Sequence, residues 1–139
     1  MKRTLLIFFI VFLAMQLIQT EKVNTPTNKE LQMKLPDDIR AIFKPACFDC
    51  HTNSTNWPWY SNIAPFSWII DSHVMNERKA LNFSIWETYN EEKKEEKMRA
   101  IFRTVYASMP LQSYIKGHEE ADLTREQRTL IRDWTGVKK

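Results

Sequence analysis

The stretch that decides the reading is ACFDCHTN, residues 46–53. It holds both cysteines of the chain, Cys47 and Cys50, with His51 directly after the second. Two thiols three positions apart with an adjoining imidazole match C-x-x-C-H, the spacing of a c-type haem attachment site. Two thiols at that distance can each add to one vinyl group of a haem, and the histidine beside the second is carried under the iron, where a ring nitrogen can ligate. Other uses of the pair fit less well. A thioredoxin-like couple belongs beside a βαβ pattern, which this chain lacks. Structural zinc asks for four ligands, and His73 and His118 stand apart from each other and from the cysteines. A disulfide across two residues closes a very small loop and leaves His51 without a purpose.

Outward from the motif, the pattern is helical. Two glycines in 139 residues disfavour a many-turned β fold. Upstream, LPDDIRAIFKPAC (35–47) opens with Pro36, Asp37 and Asp38, suited to a helix amino terminus. Ile39, Ile42 and Phe43 recur at helical spacing, and Pro45 is expected to end the helix. Downstream, TNSTNWPWYSNIAPFSW (52–68) reads as a long aromatic loop, followed by a helix from about Pro65 to Arg78. Ser84 and Glu87 form a candidate capping box. EEKKEEKMRAIFRTVY (91–106) is a helix with a solvated charged face and a buried stripe of Met98, Ile101, Phe102 and Val105. The last helix, in LTREQRTLIRDWTG (123–136), has Thr124 and Gln127 as a capping box, Leu130, Ile131 and Trp134 on one face, and Gly136 at its end. The fold class is all-α: a small helical haem domain over 36–139.

The start of the chain, MKRTLLIFFIVFLAMQLIQTEK, sets Lys2 and Arg3 before an apolar run from Leu5 to Ile18 interrupted only by Gln16. This is a secretory signal or a membrane anchor over residues 1–20. The run is shorter than the roughly 20 residues of a comfortable span, but MQLIQT offers no small-residue cleavage site, so the reading favours an uncleaved anchor contacting the membrane through residues 5–18. Either form is exported, to the periplasm or to the periplasmic face of the cytoplasmic membrane. Residues 21–35 read as a polar linker. The net charge of +3 falls to +1 without Lys2 and Arg3, leaving no basic stripe for nucleic acid.

A haem iron has a second face, and the sequence offers Met109, His73, Met75, Met98 and His118 for it. Met98 sits in an apolar stripe and Met75 within a helix, where both read as packing. His118, in KGHEE, reads as an exposed loop residue. Met109, in SMPLQSY between two helices, is favoured, because Pro110 biases it towards extended backbone from which a thioether can reach out. His73 is the alternative, and would give a lower reduction potential than His/Met. Trp57, Trp59, Tyr60, Phe66 and Trp68 are candidate pocket walls, and Arg99 and Arg103 candidate partners for the propionates.

The order of helix, CFDCH, long loop, MP and capped final helix resembles mono-haem class I cytochromes c. More narrowly, CFDCHTNSTNWPWYSNIAPFSWII, ALNFSIW and SMPLQSYIKGHEEADLTREQRTLIRDW look like the bacterial haem-binding domain family of small exported proteins. The resemblance spans roughly residues 36–135. It implies one covalent haem c on Cys47 and Cys50 with His51 axial, places Met109 where a distal ligand would stand, and implies that the first domain helix packs across the last. The interval from His51 to Met109 is longer than in the most compact cytochromes. The function expected is one-electron transfer with redox partner proteins of the cell envelope. The alternative is a haem enzyme or a gas or redox sensor, peroxidase-like, with an open or displaceable distal site; an assembly module with an aromatic docking surface is a third reading.

Overall fold

The computed structural model describes residues 1–137. All regular structure among them is helical, as the glycine-poor sequence predicts. Helix α1 (Lys2–Met15) is followed by an extended segment with a 3-10 turn at Lys29–Leu31. Then come α2 (Asp37–Ala46), α3 (Phe48–His51), α4 (Phe66–Ala80), α5 (Glu91–Ala107), α6 (Gln112–Ile115) and α7 (Arg125–Trp134). Further 3-10 turns lie at Trp59–Asn62, Phe83–Thr88 and Glu119–Ala121.

One core joins the carboxy-terminal helices to α2. Ile39, Ile42, Phe43 and Ala46 form the buried face of α2. Phe43 meets Phe83 at 5.3 Å and stands edge-on to Trp134 of α7 at 5.5 Å, a geometry in which aromatic pairs attract beyond their buried area. The first domain helix therefore packs on the last. Ile101 and Val105 of α5 and Ile131 of α7 close the core.

Helix ends follow side-chain chemistry. The Thr124–Gln127 capping box forms in both directions, Thr124 N donating to Gln127 Oε1 at 2.9 Å and Gln127 N to Thr124 Oγ1 at 3.2 Å. Gly136 follows α7 with φ +65°, the left-handed conformation glycine adopts without strain. Asn90 caps α5 by accepting from Lys93 N.

Several expectations are corrected. Pro45 does not end α2: it occupies the last turn, and the break falls at Cys47, whose φ of −130° leaves the helical region. The Ser84–Glu87 box does not form. Asn82 is the cap, accepting from Ser84 N, while Ser84 Oγ accepts from Asn53 N. Leu130 is exposed. Phe102 is only half-buried, covered by the Arg132 guanidinium 4.0 Å from its ring centre.

The largest correction concerns residues 21–35. Expected to be a linker, they lie along the domain as a strap. Asn24 and Thr55 exchange two hydrogen bonds, at 2.9 and 3.1 Å. Met33 N donates to Phe83 O at 2.9 Å, and Met33 and Leu35 are buried in the core. Arg78 of α4 joins the strap to the loop after the cysteines, donating to Val23 O and Asn24 Oδ1 on one side and to Thr52 O and Thr55 Oγ1 on the other, all within 3.0 Å. Ahead of the strap, α1 is exposed along its whole apolar length. No helix of the described residues is long and apolar enough to cross a membrane.

Candidate functional site

Cys47, the residue where α2 breaks, starts the single turn of α3. Its carbonyl accepts from His51 N at 2.9 Å and from Cys50 N at 3.3 Å. The turn thus gathers both thiols and the imidazole at one end of α2. Both cysteines are free thiols. Burial pushes Cys47 up to about 12, with the neighbouring Cys50 adding to the effect. Burial pushes Cys50 up to about 11, with Asp49 and Glu77 disfavouring the thiolate and Arg78 opposing them. At neutral pH both remain S–H.

His51 is held by its Nδ1, 3.0 Å from the carbonyl oxygen of Leu81. A backbone carbonyl can only accept, so this contact puts a proton on Nδ1, and in the neutral ring the lone pair is then on Nε2. That is the tautomer a metal-ligating histidine uses when the protein orients its ring from behind. Nε2 lies 3.6 Å from Glu77 Oε2 of α4.

Cys47 and His51 open on a small, partly open apolar cavity of about 50 Å³. Phe43, Leu81, Phe83, Ile101, Val105 and Ile131 are among its walls, and Met109 and Pro110 complete it. The Cys47 thiol, an imidazole with one nitrogen committed to a carbonyl and the Met109 thioether line one apolar cavity, with the half-buried Cys50 thiol on the same turn, a donor set that suits an iron porphyrin.

A family model described as a haem-binding domain matches residues 10–136. The chain belongs to the haem-binding domain family. No curated protein and no solved structure matches it.

In this haem-binding domain, Met109 shares the cavity with Cys47 and His51, whereas His73 stands exposed on α4 and does not line it. Cys50 flanks the motif turn without lining the cavity. Met75 is exposed on α4 and Met98 packs against the core. Trp57, Trp59, Tyr60, Phe66 and Trp68 do not wall the cavity: their segment folds over α3 and α4, and the walls come instead from α2, α5, α7 and Phe83. Arg99 and Arg103 are exposed on α5, Arg99 being paired with Glu95 at 2.9 Å, while Ile101, Thr104 and Val105 face the cavity.

Three arrangements were not anticipated. The first is a clamp on Met109. Arg128 of α7 donates from Nη1 to Met109 O at 2.8 Å and to Val105 O, and from Nε to Leu123 O at 3.2 Å. Met109 N in turn donates to Thr104 O at 2.9 Å. The loop that carries the thioether is thereby tied to α5 and α7. The second is Glu77 beside His51. The third is a cluster behind the motif turn, where His118 is not the exposed loop residue expected. Its ring stacks on Tyr114 at 4.2 Å, its Nε2 meets Tyr60 Oη at 3.0 Å, and Tyr114 donates to Asp49 Oδ2 at 2.9 Å. Burial and the Asp49 carboxylate hold the Tyr114 phenol protonated far above the usual phenol range. The cluster pins Asp49, inside CFDCH, to the turn after Met109.

Proposed function

We propose that this chain is a covalent haem c protein of the cell envelope that passes single electrons, with His51 and Met109 as axial ligands, akin to class I cytochromes c. The observation that carries this reading is the shared cavity: Cys47, His51 and Met109 line one apolar space, with the His51 ring fixed through Nδ1 so that Nε2 is available.

The bound group would supply a one-electron iron couple. The chain supplies everything around it. Cys47 and Cys50 are the residues that would hold the cofactor, each through a thioether in which its sulfur and hydrogen add to the two carbons of a vinyl group with no net change of oxidation state. Reduced, protonated thiols at Cys47 and Cys50 are the form this addition consumes. A covalent link suits a protein outside the cytoplasm, where a lost cofactor is not recovered. The rigid backing of His51 by Leu81 O and the clamping of Met109 by Arg128 keep both donors in place in either oxidation state, and aliphatic walls exclude water. Lys2 and Arg3 ahead of an apolar helix support export with α1 as anchor. With a net charge near zero outside α1, docking to redox partner proteins gains little from electrostatic steering.

The alternative, an enzyme or sensor with an open distal site, lacks its expected acid–base group: beyond His51 and the thiol of Cys47, the lining of the cavity holds no ionisable side chain among the described residues. The test is the absorption spectrum of protein matured in a host able to attach haem. The expected result is the weak far-red band of thioether-ligated ferric haem, lost in Met109→Ala and kept in His73→Ala. Absence of that band in the parent, with rapid carbon monoxide binding to the reduced form, overturns the His/Met assignment.

A further inference from the structure

Helix α1 and the aromatic segment after the CFDCH motif do not line the cavity. Helix α1 is apolar on every side, and Leu5 to Leu13 are all exposed. Such a helix is stable only when buried in protein or in lipid. Its 14 residues span about 21 Å, short of the ~30 Å hydrocarbon core of a bilayer. Its far end is not on a leash. The Gln16 side chain pairs with both backbone groups of Ala64, at 3.0 and 3.1 Å, and Trp68 Nε1 donates to Ile18 O at 2.8 Å. Thr20 Oγ1 reaches Ser67 O at 3.5 Å, and Lys22 bonds Asn62.

The corner bound in this way presents several large apolar side chains to solvent. Trp59 is 75% exposed, Phe66 57% and Ile69 52%, with Leu17 and Ile18 exposed at its border. In a chain with 27% charged residues, residues 52–70 contain no Asp, Glu, Lys, Arg or His.

We infer that the corner formed by Trp59, Phe66 and Ile69, together with Leu17 and Ile18, is a lipid seat that rests in the headgroup layer of the membrane. The inference builds on the reading of α1 as an anchor. Lipid is the occupant because the corner is continuous with α1: four side chains tie them together, so whatever surrounds the helix end reaches the corner as well. The shortness of α1 strengthens the case. A span shorter than the hydrocarbon core thins the bilayer or draws flanking residues into it, and without slack after Met15 the flanking residues are this corner. An indole at headgroup depth, as Trp59 would be, is in its preferred environment. An uncharged surface costs nothing in ion desolvation when lipid covers it.

The test uses the full haem-loaded chain in vesicles of phosphatidylcholine and phosphatidylglycerol. Trp59→Cys, Phe66→Cys and Ile69→Cys are each reacted with a membrane-impermeant maleimide. Glu96→Cys, on the solvated face of α5, serves as the reference and corrects for chains facing the lumen. Labelling at least tenfold slower at 59, 66 and 69 than at 96 is expected. Equal rates in vesicle-bound protein overturn the seat and leave the anchor intact. Recovery of the chain in the supernatant, or its processing with loss of α1, overturns both. Disulfide-linked pairs formed through Phe66→Cys put a second copy on the corner and overturn the assignment to lipid.

Discussion

Arg128→Ala should loosen Met109 without touching it. In the parent, one guanidinium bridges the carbonyls of Val105, Met109 and Leu123, from a side chain that is 19% exposed. Hydrogen bonds from a charged donor contribute about 1.5 kcal/mol or more each. Water can reach a site of this exposure and partly replace them, so the expected loss is about 3 kcal/mol rather than the full value of all three. In a domain of this size that corresponds to a fall in Tm of roughly 10 °C. Thermal unfolding followed by helical circular dichroism measures the stability, and the far-red thioether band measures Met109. The band should weaken in Arg128→Ala well below the unfolding transition. Arg128→Lys should recover part of it, since an ammonium keeps the charge but cannot fork to carbonyls on separate segments. A variant with the lowered Tm and an undiminished band would show that Arg128 supports the fold and does not position the ligand. An unchanged Tm would refute the clamp itself.

Haem should stay with the polypeptide through denaturation in the parent and be released from the Cys47→Ala, Cys50→Ala double variant, as read on a denaturing gel stained for haem. In the haem-free chain, both thiols sit above their ordinary value of 9.0. The folded form therefore holds protons that the unfolded form gives up, and stability should fall as pH rises from about 9 through about 11 for Cys50 and about 12 for Cys47, a trend that denaturant titrations would detect. Stability that instead increases over that range contradicts the burial of the thiols. Glu77→Gln removes a carboxylate 3.6 Å from Nε2 of His51 and, with that nitrogen as the proposed iron ligand, should raise the reduction potential measured by spectroelectrochemistry, because less negative charge would then face the oxidised iron. Arg78→Ala should expose residues 21–32 to limited proteolysis at sites resistant in the parent, since two of the strap's anchoring contacts end on that side chain and two more join it to the loop beneath.

What could be read from the sequence was written locally. The haem motif is five adjacent residues, the Thr124–Gln127 cap is four, and the faces of α2 and α5 recur every three or four. The place of Met109 between two helices, beside a proline, is likewise a sequence fact, and the structure sets it in the wall of the cavity. The features that were not legible depend on distant partners and have no periodicity. Arg78 meets Val23 across 55 positions, and Tyr60 meets His118 across 58. Arg128 lies on the strongly amphipathic α7, where a cation reads as solvated surface until Met109 O is seen beneath it. The density of aromatics between Trp57 and Trp68 marked a special segment but could not say which way it faced. It faces away from the cavity, whose walls include Ile101 and Val105 of α5 and Ile131 of α7.

The strap also sets where this chain can be cut. A soluble fragment designed on pattern alone would begin at Pro36, the apparent first residue of the globular part. That boundary would discard Met33 and Leu35 from the interior and leave Arg78 and Thr55 facing solvent where Val23 and Asn24 had been. A workable truncation removes α1 and starts no later than Val23, and the difference in yield between those two starting points is a direct measure of what the strap contributes.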